Sequence, residues 1–235
     1  VAFPANPQPI HPGSYVAGAR PVEGPLRALT LECWVRPWDL KSLQGVITQE
    51  DKSADDGFAL GVGPGGYVGF FLGDGKSPDE LVIHRTAPAA LIRNRWHHVV
   101  ATWDGSVKRI YVDAREAGSW PFAGPLAAGR HPLRLGAMGE DGAATRFLDG
   151  DIAQPAIYGR ALGAAEIAAR FADRGLKPAA GDAVLGAWPL TEEKGERVAD
   201  VSGAGRDGTV INHATWMIGG PSLEADVPRF GAYEP

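Results

Sequence analysis

Asp149 and Asp151, two positions apart in the run Phe147-Leu148-Asp149-Gly150-Asp151-Ile152, are the carboxylates whose spacing most directly suggests chemistry. On a regular strand such residues share one face. Carboxylates held together bind Ca²⁺ through hard oxygen ligands, or divide acid and base roles on a glycosidic bond. The competing reading is that they are solvated aspartates at strand ends and turns. The acidic run Asp51-Lys52-Ser53-Ala54-Asp55-Asp56 lacks the D-x-D-x-D-G order of a calcium loop and reads as a hairpin tip. His97 and His98 are neighbours, so on a strand they point to opposite faces and cannot share an ion. One is expected in the core and the other on a sheet surface. His11, His84, His131 and His213 are scattered, with no H-E-x-x-H or H-x-x-E-H spacing.

Nucleophilic and nucleotide chemistry have no residues to carry them. The sequence holds no G-x-S-x-G elbow, no S-x-x-K and no G-x-x-x-x-G-K-[ST] loop. No residue is therefore assigned a catalytic role. The seven tryptophans are more informative. Trp34, Trp96, Trp103 and Trp188 sit in strand-like runs and are expected to fill the core or a sheet face. Trp38, Trp120 and Trp216 fall in loop-like stretches beside Pro or Gly. Such indoles anchor protein interfaces, the reading preferred here, or stack on sugar rings, the alternative.

Composition narrows the partners. Twenty-three basic against 28 acidic residues give a formal net charge of −5, with pI near 5.7. That argues against nucleic acid or an anionic membrane as partner. No apolar run approaches the roughly 20 residues of a membrane span. The single cysteine, Cys33, alternates with Leu31 and Val35 and reads as a buried core thiol. One cysteine and no visible signal peptide favour a cytoplasmic location.

These residues must be positioned by many short strands. Runs at 29–36, 44–50, 57–62, 66–72, 80–85, 96–103, 107–113, 132–137, 147–158, 184–190 and 208–212 are strand-like, with turn signals between them. This is the pattern of an all-β sandwich. In 29–36, Leu29, Leu31, Cys33 and Val35 should face inward and Thr30, Glu32, Trp34 and Arg36 should form a more polar outer face. Asp104-Gly105 marks a hairpin turn. One short helix is expected at 163–174, with Ile167 and Phe171 on one face and Gly175 as its cap.

The stretch Trp96-His97-His98-Val99-Val100-Ala101-Thr102-Trp103-Asp104-Gly105, followed by Ile110-Tyr111-Val112-Asp113, resembles the central hairpin of laminin-G-like domains. The run Phe147–Leu162, ending Tyr158-Gly159-Arg160-Ala161-Leu162 before the helix, resembles the family in the same order. The resemblance implies a concanavalin A-like antiparallel β-sandwich, or jelly roll, over residues 13–218. Residues 1–12 would then be a lead-in and 219–235 a tail toward a host domain. Leu185-Gly186-Ala187-Trp188-Pro189-Leu190 and Val198–Val210 resemble the family's first strand and loop, so the order looks circularly permuted. That permuted order, with the opening Gln8–Val16, is similar to the sandwich domain in the large subunit of N,N-dimethylformamidase-like proteins. Such a host would hydrolyse formamides with residues outside this chain. The resemblance further implies Ca²⁺ at one rim, with Asp151 and Asp200 among its ligands. The glycosidases of this fold carry an E-x-D-x-x-E strand that is absent here, Glu224-Ala225-Asp226 being the nearest approach. The expected function is a non-catalytic binding or scaffolding module contacting neighbouring domains or subunits. A lectin-like module that binds a glycan is the alternative, and a glycoside hydrolase of this fold is the third.

Overall fold

A computed structural model describes residues 13–51, 56–73, 82–124, 126, 131–217 and 219–221. Outside the described residues therefore lie Glu224-Ala225-Asp226 with most of the 219–235 tail, the middle of the 51–56 run, the start of the 80–85 run, and the 1–12 lead-in with His11 and the first part of Gln8–Val16. Strands β1 (Tyr15–Gly18), β2 (Leu29–Pro37), β3 (Gln44–Asp51), β4 (Asp56–Gly63), β5 (Tyr67–Leu72) and β6 (Val82–Arg85) come first. A meander follows: β7 (His97–Trp103), β8 (Val107–Val112) and β9 (Arg115–Pro121). Then come β10 (Arg134–Leu135), the small hairpin β11 (Met138–Glu140) and β12 (Ala143–Thr145), and the long β13 (Gly150–Tyr158). Helix α1 (Ala164–Asp173) precedes β14 (Val184–Ala187), β15 (Arg197–Val198) and β16 (Gly208–Ile211).

The strands form two antiparallel sheets, ordered β15-β16-β1-β10-β3-β4-β5-β6 and β14-β13-β2-β7-β8-β9. Alternation explains what lies between them. Leu29, Leu31, Cys33 and Val35 of β2 meet Ile47, Leu60 and Phe70 of the facing sheet in one core cluster. Burying each such side chain stabilises by roughly 2 kcal/mol. Trp103 and Trp188 are in this core at 1% exposure. The β7–β8 hairpin forms as its sequence predicts. Asp104 Oδ1 accepts the N–H groups of Ser106 and Val107, and Gly105 takes φ 92°.

The more polar outer face of β2 is present but covered: Thr30, Glu32 and Trp34 are all buried. Helix α1 lies over it, with Phe171 stacked on Trp34 at 5.7 Å. Beneath it, Glu32 accepts bonds from His98 Nε2 (2.8 Å), Arg170 Nε (2.9 Å) and the Tyr158 hydroxyl. Those bonds outweigh the burial that alone would raise the Glu32 carboxyl, and hold it below the ordinary range. Trp120 sits on the edge strand β9, where a loop was expected. The left-handed residue closing α1 is Arg174 (φ 52°), with Gly175 following it.

The described chain also closes on itself. β1 pairs with β16, Ser14 Oγ donates to the Asn212 carbonyl (2.6 Å), and Asn212 Nδ2 donates to the Gly13 carbonyl (2.7 Å).

Candidate functional site

β14 pairs with β13 only at Ala156, Ile157 and Tyr158. The bulge beyond Ala153, where Gln154 takes φ 51°, turns β13 away there. Its first half, Gly150 to Ala153, is hydrogen-bonded to β2 on one side and has no strand partner on the other among the described residues. A crevice of about 180 Å³ runs along this open edge, between it and the facing strands β1, β10 and β16. Val16 lies opposite both Leu135 and Val210 in the register of the facing sheet, so the three make one continuous aliphatic floor. The segment Ala214–Met217 forms a wall.

The mouth is polar and aromatic. Asp151 stands opposite Arg36, whose Nε donates to Asp151 Oδ2 at 2.6 Å. The Trp38 indole N–H donates to the same oxygen at 2.9 Å. Asp151 Oδ1 accepts nothing from the described residues, leaving one carboxylate oxygen for a ligand. The Arg36 guanidinium lies 5.2 Å from the centre of the Trp96 ring, a cation–π contact that holds both in place. Trp38 is 44% exposed because β2 ends at Pro37 and the chain turns outward, anchored by the Trp38 N–H to the Asp149 carbonyl. Trp216 lines the crevice, with its indole N–H donated to the Gly195 carbonyl at 2.8 Å.

Of the five residues singled out from sequence, the structure brings Trp38, Trp216 and Asp151 to one place. It puts the other two elsewhere. Trp120 stacks on His84 at 5.2 Å, where the far edges β9 and β6 of the two sheets meet. Asp200 accepts the N–H groups of Ala187, Ser202 and Arg206, and these bonds keep its carboxyl below the ordinary range despite partial burial. Ala187 lies opposite Ala156, five positions along β13 from Asp151 and so roughly 15 Å away. The calcium site expected to join Asp151 and Asp200 is thus not assembled. Among the described residues no group of three or more His, Cys, Asp or Glu is arranged to hold a metal ion. Of the closely spaced carboxylates, Asp149 is exposed and its backbone bonds to Trp38 and Gln44, while Asp151 is held by Arg36 and Trp38.

His97 and His98 point to opposite faces, as expected. His97 Nδ1 bonds to Asp113 Oδ2 at 2.8 Å, and His98 lies under α1. Sequence reasoning missed Arg36, Trp96, Met217 and the aliphatic floor. Arg36 was read only as part of the more polar face of 29–36, and the signal that could have found it was its opposite charge to Asp151 on a strand of matching length.

A family model described as the concanavalin A-like lectin/glucanases superfamily matches residues 13–168. No curated protein matches the chain. A Bacteroides ovatus protein provisionally described as carbohydrate binding superposes with TM-score 0.64 at 17% identity, over 84% of this chain and 55% of its own. This chain therefore spans about half the length of that protein. A heptameric SAP-like pentraxin from Limulus polyphemus superposes with TM-score 0.58 at 16% identity, over 88% and 89% of the two chains. The CBM40 of Ruminococcus gnavus IT-sialidase, bound to α2,3-sialyllactose, superposes with TM-score 0.56 at 14% identity, over 67% and 93%. At these identities the likeness is one of fold.

Proposed function

The chain belongs to the concanavalin A-like lectin/glucanase superfamily, and on that premise we propose that it is a non-catalytic module binding carbohydrate in the crevice beside Asp151. One observation carries the reading: the Trp216 and Trp96 indoles and a carboxylate with an unused oxygen line one concavity, and the half-exposed Trp38 is bonded to that carboxylate at its rim. A sugar ring has C–H edges that pack on indole and hydroxyls that donate to carboxylate, so this is the complement it requires. The carbohydrate-binding descriptions of two of the structural neighbours point the same way. The scaffolding role, placed first from sequence, here becomes the second reading.

The test is a glycan array probed with the chain and with Trp216→Ala and Asp151→Asn. The unaltered chain should select a defined set of glycans, and each variant should weaken binding about ten-fold or more, the range of an anchor side chain. Uniform absence of glycan binding would remove this reading. The second reading rests on the Gly13–Asn212 junction. A module whose two ends lie together can be set into a host chain, such as a formamide-hydrolysing amidohydrolase, without disturbing it.

A further inference from the structure

The crevice has two properties that its aromatic mouth does not explain. Its floor, Val16, Leu135 and Val210, is wholly aliphatic and at most 8% exposed. A hydroxyl pressed against such a surface loses its water without gaining a partner, so an unmodified hexose is a poor occupant. Beside the floor runs the open edge of β13, whose outward peptide groups between Gly150 and Ala153 have no partner among the described residues. A strand edge of this kind asks for another amide. One substituent common on sugars offers a methyl group and an amide together, namely acetamido.

Resting on the carbohydrate reading, we propose that the crevice takes the N-acetyl group of an N-acetylhexosamine at a glycan chain end. The methyl lies on the Val16–Leu135–Val210 floor, the amide faces the β13 edge, and a ring hydroxyl donates to Asp151 Oδ1 at the mouth. A volume of about 180 Å³ holds one ring with its substituent, since an apolar cavity of roughly 150 Å³ holds benzene. The site is therefore sized for one residue, and a chain end is the residue that enters it without a neighbour on either side of the mouth.

Titration calorimetry with matched sugars tests this. N-acetylglucosamine and N-acetylgalactosamine should each bind the unaltered chain at least ten-fold more tightly than glucose and galactose, the discrimination one buried apolar group supplies. N-acetylated oligosaccharides should bind once per chain end, whatever their length. Val210→Thr, which keeps the shape and adds a hydroxyl, should cut that preference several-fold while a melting curve confirms folding. Glycan binding with equal affinity for acetylated and parent sugars would overturn the N-acetyl assignment and leave the carbohydrate reading standing. Binding that scales with polymer length would overturn the chain-end assignment. Loss of all glycan binding on the array would overturn both.

Discussion

Glu50, on β3, is 1% exposed, and its Oε2 is buried with no hydrogen-bond partner. Burial pushes its carboxyl up to about 7. The Gly139 N–H works against that push, and the neighbouring Asp51 charge adds to it. Below pH 4.5 the folded and unfolded chains both hold this proton, and between 4.5 and about 7 only the folded chain does. Stability conferred by the neutral carboxyl is therefore complete below 4.5, falls through that window and is gone above 7, a loss of ~3 kcal/mol. Glu50→Gln should abolish the fall, read as urea stability at pH 5 and pH 8. Lys108 has the opposite sign. It is fully buried on β8, with its ammonium 4.8 Å from the Phe122 ring and 5.2 Å from Phe70, and burial pushes it down to about 7. Between about 7 and 10.5 only the unfolded chain holds that proton, so stability rises with pH across this window. Lys108→Met should remove the rise. With both residues present, stability should pass through a minimum near neutrality.

At the scale of elements, α1 is held less by its own apolar contacts than by the carboxylate beneath it, for Ile167 is its one buried residue among those described. Arg170 bonds to Glu32 through Nε and to the Lys177 carbonyl through Nη1 (2.9 Å), tying both the helix and the turn after it to the sheet. Arg170→Met strands a buried carboxylate and should cost about 3 kcal/mol. Amide exchange over 164–173 should quicken more than over β7. The helix itself was legible in the sequence because its signals are local: Ile167 and Phe171 stand four apart and Gly175 follows the last turn. The β7–β8 hairpin was legible for the same reason. Strand β9 was not, because Arg115–Pro121 has no apolar alternation and is a strand only through pairing with β8. The crevice was still less accessible to sequence. It exists because β14 stops pairing at Ala156, and because Asp151 is in register with Arg36, 115 residues away. Nothing local encodes either fact. The tryptophans could thus be picked out by type, while which of them meet depends on long-range register.

At the scale of the whole molecule, the junction of the first and last described strands predicts that the ends are interchangeable. Linking Gly13 to the 212–217 segment through a short spacer, and opening the chain between the exposed Ala180 and Gly181, should give a folded protein melting within a few degrees of the original. A molten or aggregated product would show that the seam is more than a surface junction. The seam also has a consequence for how the chain acquires its structure. Ser14 and Asn212 are 198 residues apart in sequence, so their pairing closes a loop nearly as long as the chain, at an entropic cost of roughly 5 kcal/mol. During synthesis β1 leaves the ribosome long before β16 and must wait for it. Until then β1 carries an unzipped margin, and the crevice lacks Val210 from its floor and the whole Ala214–Met217 wall. Ligand recognition is therefore the final property to appear, and a ligand added to nascent chains halted before Gly208 should find nothing to hold.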